Sequence, residues 1–314
     1  KLGYSVDASD PAQVEQAARA FVERSTRDIE WFWDAALRDM DFAWDRPYHT
    51  LLDRSRGNAF ADWFVGGETN IVTNCVARHA RGPNADKAAL IAESEDGAVQ
   101  RWTFTELDRD VCALANAMAE LGVTRGDRVA CYMPMVGDVV IALLATQKLG
   151  AIFIPIFSGY APKAVRERLE DAEVKLVFTA DTALRRGRRF ALHAELENAL
   201  EGLACVEHVL VLRRDASAKL KPGRDRYWQD AVASQPTARE TLSVPALTPA
   251  LMLFTSGTTG KPKGTVHTHA GCLAQMGKEL LYNFDLKPSD VFFWFSDIGW
   301  MMGAWEIIGC FMHG

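Results

Sequence analysis

Short apolar segments alternate with helix-like segments between residues 89 and 212, and this alternation limits the possible folds more than any other feature. Strands are predicted at the apolar runs 89–92, 100–104, 129–133, 151–157, 174–178 and 209–212. Helices are predicted at 105–121, with Thr105 as N-cap, and at 137–149 and 162–172. Strands that alternate with helices build a mostly parallel sheet with helices on both faces. The sequence therefore predicts an α/β fold.

The segments on either side of this alternation have a different composition. Residues 1–60 are predicted to be helical, and we expect their many aromatic side chains to dock an extension onto a larger body rather than stack on a ligand. Residues 213–249 are charged and predict a surface loop. We therefore expect a helical N-terminal extension over 1–69, an α/β subdomain over 70–248, and the start of a second α/β subdomain over 249–314.

Charge and cysteine content argue against several classes of function. A net charge of -6 disfavours a protein that binds nucleic acid. The six cysteines form no CxxC pair, which disfavours zinc knuckles and thioredoxin-like sites and is typical of reduced thiols in an intracellular protein. The sequence has no apolar run of about 20 residues and no signal peptide. We therefore expect a soluble, cytoplasmic protein that contacts neither membrane nor nucleic acid.

The segment with the most candidate ligand-binding residues follows a predicted buried strand at 250–254. It contains three glycines, three threonines, one serine and two lysines, whose backbone N–H groups, hydroxyls and charges suit a polyphosphate. The candidate phosphate-binding residues are Thr255, Ser256, Gly257, Thr258, Thr259, Gly260, Lys261, Lys263 and Gly264. This is not a Walker A loop, because only two residues separate Gly257 from Gly260 and Pro262 follows Lys261. The alternative is a surface loop rich in turn-forming residues.

This segment is similar to the phosphate-binding loop of the adenylate-forming superfamily. Segments 60–64, 126–129, 155–160, 180–189 and 291–303 resemble the acetyl-CoA-synthetase-like members, and the likeness runs from about Glu15 to the end of the chain. The resemblance implies an AMP-forming acid–thiol ligase. Such an enzyme converts a small carboxylate to an acyl-adenylate and then to a coenzyme A (CoA) thioester, with ATP, CoA and Mg²⁺. It also implies a catalytic role for Lys263 in stabilising the charge on the phosphates.

The resemblance implies a CoA site as well. Arg185 and Arg188 match the arginines of an Arg-x-Gly-Arg motif that contact CoA phosphates in the family, and guanidinium groups suit phosphate by shape and charge. Phe157, Ser158 and Gly159 match a segment near the CoA nucleotide. The alternative for the arginines is a solvated basic run.

The acyl pocket is assigned by resemblance to Trp300, Met301, Met302 and Gly303. A strand is predicted just before them at 291–295, with Asp297 as N-cap of the helix that follows. Acetate-using relatives have Val-Thr where this chain has two methionines, and the Met pair resembles acetoacetyl-CoA synthetases. The acid therefore stays open, and the methionines could also simply pack in the core.

A metal held by protein side chains is not expected. His267 and His269 would share one face of a strand, but two histidines alone make a poor metal site, so ordinary hydrogen-bonded histidines are the preferred interpretation.

Two other functions stay open: adenylation with a carrier protein as acceptor, and a non-catalytic nucleotide-binding module. The family is longer than 314 residues, and this chain stops within an apolar segment. We therefore expect it to be the N-terminal portion of an enzyme, inactive without the C-terminal part that would be its partner.

Overall fold

A computed structural model of the chain describes residues 6–255 and 262–314. Within these residues the helices are Pro11–Arg27 (α1), Ile29–Asp39 (α2), Arg78–Ala80 (α3), Phe104–Glu120 (α4), Asp138–Lys148 (α5), Pro162–Asp171 (α6), Leu192–Leu200 (α7), Trp228–Val232 (α8), His269–Asn283 (α9) and Met301–His313 (α10). A 3₁₀ turn covers Asn58–Phe60, and a π-helical turn covers Thr73–Ala77.

The strands of the described residues form one large sheet and several small ones. They are Thr50–Asp53 (β1), Asp62–Val65 (β2), Glu68–Thr69 (β3), Ala88–Glu93 (β4), Val99–Thr103 (β5), Arg128–Tyr132 (β6), Ile152–Pro155 (β7), Leu176–Ala180 (β8), Ala183–Arg185 (β9), Arg188–Phe190 (β10), His208–Leu212 (β11), Asp225–Tyr227 (β12), Val244–Pro245 (β13), Pro249–Thr255 (β14) and Lys263–Thr268 (β15).

The central sheet has seven strands in the order β12-β11-β8-β6-β7-β14-β15. All neighbouring strands are parallel except β14 and β15. The chain leaves β6 for β7 on one side and then crosses to β8 on the other, so a crevice is expected at the carboxyl ends of β6 and β8. This architecture confirms the predicted α/β fold. Strands from both sides of residue 249 belong to this one sheet, and the division into subdomains stays a prediction.

The core lies where helices cover this sheet. The strands β6, β7 and β8 are almost entirely buried, as expected for parallel strands with both faces covered. Helix α5 is buried along its whole length from Val139 to Lys148. The Lys148 ammonium is fully enclosed, and its Nζ lies 3.4 Å from Asp108 Oδ1 and 3.0 Å from Thr241 Oγ1. These contacts compensate a charge that would otherwise be costly to bury.

The N-terminal region differs from the helical prediction. Its helices end at Asp39, and residues 50–69 form the short strands β1, β2 and β3 instead. The predicted docking role of the aromatic side chains agrees with the packing, since Trp33 and Trp44 lie against the core and contact Trp63 and Phe64.

Two further details correct the sequence analysis. Helix α4 is capped by Thr103 rather than Thr105, because Glu106 lies three residues after Thr103 and completes a capping box with it. The charged segment 213–249 is not only loop: it contains α8, β13 and β12, which extends the central sheet. Short strands in a polar segment carry little periodic signal.

Candidate functional site

Three of the predicted ligand-binding segments begin where parallel strands of the central sheet end. Phe157–Gly159 follows β7, the β9–β10 hairpin follows β8, and the candidate phosphate loop follows β14. The carboxyl ends of parallel strands meet at one edge of a sheet, and ligands of open α/β sheets bind outside that edge.

The candidate phosphate loop lies between strands β14 and β15 in the sequence. Ser256, Gly257, Thr258, Thr259, Gly260 and Lys261 lie outside the described residues. Thr255 and Lys263 are cross-strand partners at the ends of β14 and β15, and the Thr255 hydroxyl donates to the Lys263 carbonyl at 3.4 Å. Gly264 leaves room for the Met252 side chain. The segment therefore joins two antiparallel strands, unlike a Walker A loop, which joins a strand to a helix.

Arg185 and Arg188 lie on either side of a two-residue turn. The turn residues Arg186 and Gly187 have φ of 51° and 70°. Positive φ at both central residues is typical of the tight two-residue turns that join hairpin strands. Arg185 and Arg188 are direct cross-strand partners, so their side chains leave the same face of the hairpin. Like charges in this arrangement repel one another, and a bound anion would remove the repulsion.

Phe157 connects the candidate CoA residues to those of the candidate acyl pocket. The Arg185 guanidinium lies 5.1 Å from the centre of the Phe157 ring. A methyl group at Gly159 would overlap both that guanidinium and the Phe157 ring. Ser158, which lies between Phe157 and Gly159 in the sequence, is half-buried. Phe157 also contacts the acyl-pocket segment, since the centre of the Trp300 ring lies 6.2 Å from that of Phe157 and Gly299 packs against the Phe157 backbone.

The candidate acyl-pocket residues begin helix α10. Trp300 is 54% exposed and Met301 is also exposed, whereas Met302 packs against the core. Gly303 is buried against the backbone of Asp297 and Ile298, where a side chain would not fit. The two methionines therefore differ in exposure, since Met301 is exposed and Met302 is half-buried.

Asp297 does not cap helix α10 as predicted. Trp300 occupies the N-cap position, and Asp297 Oδ1 instead accepts the Gly299 N–H at 2.8 Å in the turn before the helix. Burial raises the pKa of Asp297, while the Gly299 N–H and the charge of Arg185 oppose that shift.

The strand predicted at 291–295 is not formed within the described part of the chain. Residues 291–295 belong to no helix or sheet of the described residues. Val291, Phe293 and Phe295 are 80%, 77% and 93% exposed, whereas Phe292 and Trp294 contact Trp305. The alternation typical of a strand is therefore present without a partner strand.

The two histidines do not share a strand face. His267 lies on β15 and is half-buried, whereas His269 begins α9 and is fully buried. His269 Nδ1 accepts the Ile71 N–H at 3.2 Å, and burial lowers the pKa of His269 to about 3. The predicted hydrogen bonding of His269 is thus present at Nδ1 only, since its buried Nε2 has no hydrogen-bond partner among the described residues.

Sequence reasoning missed a buried cluster of His193, Glu197 and Asp225, whose ligand atoms lie within 4.8 Å of one another. The i, i+4 spacing of His193 and Glu197 on α7 was the available signal. Arg224 pairs with both Glu197 and Asp225, so a guanidinium already contacts the two carboxylates where a cation would bind. Although burial raises the pKa of Asp225, its hydrogen bonds from His193 and Arg224 outweigh that effect and lower the pKa to about 2. The cluster is therefore an ion-pair network rather than a vacant cation site.

Two other features were also missed. Met135 lies at the carboxyl end of β6, and its sulfur accepts the Ile298 N–H at 3.1 Å, which ties the crevice edge to the acyl segment. A mostly apolar cavity of about 160 Å³ lies away from this edge, where Trp33 and Trp63 face Ala274 on α9. We place the chemistry at the carboxyl edge, because the cavity contains none of the candidate ligand-binding groups.

None of the helices in the described ranges is long and apolar enough to cross a membrane.

Comparisons with known proteins agree with this architecture. A sequence profile described as AMP-binding enzyme matches residues 76–314, and one described as Acetyl-coenzyme A synthetase N-terminus matches residues 18–75. An acetyl-coenzyme A synthetase of Mycolicibacterium smegmatis is 40% identical over 308 residues, which cover 97% of this chain and 32% of that protein. One of Ralstonia nicotianae is 41% identical over 290 residues, which cover 91% of this chain and 44% of that protein.

A solved structure shares the fold. An acetoacetyl-CoA synthetase from Streptomyces lividans superposes with a TM-score of 0.85 at 29% identity, covering 93% of this chain and 44% of that one. The chain thus spans less than half of the length of each of these three relatives.

Proposed function

The chain belongs to the AMP-binding enzyme family, and we propose that it is part of an AMP-forming carboxylate–CoA ligase. The reaction would couple a carboxylate to ATP, release pyrophosphate, and then transfer the acyl group to the CoA thiol with release of AMP. One observation carries the proposal. The described ends of the phosphate segment and the CoA segments adjoin the carboxyl edge of one mostly parallel sheet, and Phe157 contacts both the CoA and the acyl segments.

The first half-reaction needs positive charge near the phosphates. A free carboxylate is a poor electrophile, and AMP gives it a good leaving group. As pyrophosphate departs, negative charge grows on its oxygens, and Lys263 with the N–H and hydroxyl donors of Thr255–Gly264 would stabilise that charge. Bound Mg²⁺ would add neutralising charge on the phosphate oxygens.

The second half-reaction needs CoA held beside the acyl group. Arg185 and Arg188 would bind CoA phosphates, which suits two like-charged side chains on the same face of a hairpin. Phe157, Ser158 and Gly159 would lie near the CoA nucleotide. Trp300, Met301, Met302 and Gly303 would border the acyl group, with exposed Met301 as the adaptable contact. The relatives are acetyl- and acetoacetyl-CoA synthetases, so we propose a short-chain acid.

The test is carboxylate-dependent exchange between ATP and pyrophosphate. It would use this chain and a polypeptide of the relatives' length that contains it, with acetate, acetoacetate, longer and aromatic acids. We expect the longer polypeptide to exchange with short acids and the 314-residue chain to be inactive or nearly so. Lys263→Ala should abolish most of the exchange, whereas Lys219→Ala, which changes an exposed lysine of the 213–220 loop, should not. Absence of exchange with every acid would contradict the proposal.

The compartment stays a prediction. The six cysteines are free, as expected for a cytoplasmic protein, and cell fractionation would test it.

A further inference from the structure

Two carboxylates from distant parts of the chain hold the β9–β10 hairpin. The Gly187 N–H at its tip donates to Glu95 Oε1 at 3.0 Å, and Glu95 lies in the turn between β4 and β5. On the far strand of the hairpin, Arg189 Nη1 lies 3.2 Å from Asp215 Oδ2. The hairpin is thus attached at its tip and at one side.

The loop that carries Asp215 is held in place by a buried carboxylate. Asp181 follows β8, is 1% exposed, and its carboxylate accepts the N–H groups of Arg214, Asp215 and Ala216 at 2.8–3.1 Å. This bonding fixes the loop that carries Asp215. Glu95, in contrast, is exposed and provides the hold on the tip itself.

The arginines of the hairpin differ in whether they have a carboxylate partner. Arg189 has a carboxylate partner, whereas Arg185 and Arg188 form no ion pair within residues 6–255 and 262–314. Arg185 and Arg188 flank the two turn residues, so the orientation of both side chains depends on how the turn is held. Repulsion between them would splay an unsupported tip.

We propose that Glu95 is a positioning residue for the CoA phosphates. It accepts the Gly187 N–H and so keeps Arg188 beside Arg185, whose guanidinium lies over Phe157. This inference rests on the proposed function, because it presumes that these two arginines bind CoA. Glu95 acts as a hydrogen-bond acceptor rather than as a charge, since its contact is with a backbone N–H.

The substitutions Glu95→Ala and Glu95→Gln separate these two properties. Glutamine keeps an acceptor oxygen without the charge, whereas alanine removes both. The matched control is Glu93→Ala, which removes an exposed carboxylate two residues earlier on β4. Calorimetry would measure CoA binding to the 314-residue chain, and ¹H–¹⁵N NMR would measure hydrogen exchange of the Gly187 amide.

We expect Glu95→Ala to weaken CoA binding about five-fold, as the loss of about one hydrogen bond predicts, and to speed exchange at Gly187. Glu95→Gln should restore both, and Glu93→Ala should change neither. Dephospho-CoA, which lacks one phosphate, should lose less affinity than CoA in Glu95→Ala.

Other outcomes overturn the inference at different points. Unchanged exchange at Gly187 in Glu95→Ala would show that Glu95 does not hold the turn. Faster exchange with unchanged CoA binding would remove the positioning role, while the proposed function would stand if Arg185→Ala/Arg188→Ala still weakened binding. If the unaltered chain does not bind CoA, or the double variant binds it normally, the proposed CoA site falls and the inference with it.

Discussion

At the scale of single residues, Arg185 and Arg188 are the clearest test of the acceptor. Replacing both with alanine in a polypeptide of the relatives' length should raise the KM for CoA at least ten-fold, since two charge-assisted contacts are lost. Carboxylate-dependent ATP–pyrophosphate exchange should be unaffected. The matched control is Arg186→Asn, which removes one charge from the same turn with a residue that tolerates positive φ. An unchanged KM in the double variant would favour a carrier protein as acceptor.

His269 predicts a pH dependence of stability. Its pKa is about 3 in the folded protein, below the usual 6.5, because burial disfavours the charged ring. As pH falls below 6.5 the unfolded state takes up the proton and the folded state does not, so stability is lost between about pH 6.5 and 3. The loss from this residue should reach about 2 kcal/mol between pH 7 and pH 5.

Urea unfolding at several pH values would measure this loss. His269→Gln should flatten the dependence, whereas His49→Gln, at an exposed histidine, should leave the slope as it was. Equal slopes for all three proteins would contradict the assignment. Burial also lowers the pKa of His79 to about 4, so part of the pH dependence should survive in His269→Gln.

At the scale of elements, periodicity predicted the structure wherever an element buries most of its surface. The strands β6, β7, β8 and β11 and the helices α5 and α6 lie within a few residues of their predicted positions, whereas helix α7 between β8 and β11 was not predicted. Prediction failed where contacts between distant parts of the chain determine whether an element forms. Strand β12 has three residues and exists because β11 pairs with it. The N-cap of α4 is a different case, because the capping box of Thr103 with Glu106 is a local pattern that the sequence contains.

The candidate site was predictable in part for the same reason. A motif could propose Arg185, but its contact with Phe157 depends on the order of strands in the sheet. Glu95 could not be proposed at all, since nothing in a local sequence shows that its turn meets the tip of another hairpin.

Segment 291–295 predicts self-association of this chain. It exposes Phe293 and Phe295 in an apolar sequence that pairs with no strand in the described part of the chain, and exposed, unpaired apolar segments readily associate with other chains. The variant Phe293→Ser/Phe295→Ser should shift sedimentation at high concentration toward the monomer without loss of folded structure. Phe60→Ser, at an isolated exposed aromatic side chain, should have little effect. Unchanged association in the double variant would contradict this interpretation.

At the scale of the whole molecule, the end of α5 connects distant parts of the chain. Lys148 Nζ contacts Asp108 on α4 and Thr241 in the segment before β13. The Asn70 amide donates to the carbonyls of Gln147 and Leu242 at 2.8 and 2.9 Å. The start of the α/β subdomain at Asn70, helices α4 and α5 and the 233–243 segment are therefore connected by one small group of contacts.

Lys148→Met should destabilise the protein by about 2 kcal/mol, less than for a fully buried pair because Asp108 is partly exposed. Limited proteolysis within 233–243 should also become faster. The double variant Asp108→Asn/Lys148→Met should recover part of the stability, because no unpaired charge is left. If the Lys148→Met variant were as stable and as resistant to protease as the unaltered protein, this account would be wrong.

The complete burial of α5 also has an evolutionary consequence. Most helices of a sheet-covered fold have an outer face on which sequence drifts freely, so related proteins differ there every third or fourth position. From Val139 to Lys148 no such face exists. Divergence should therefore be slow across this whole stretch, which would mark it out among descendants as a continuous block unrelated to catalysis.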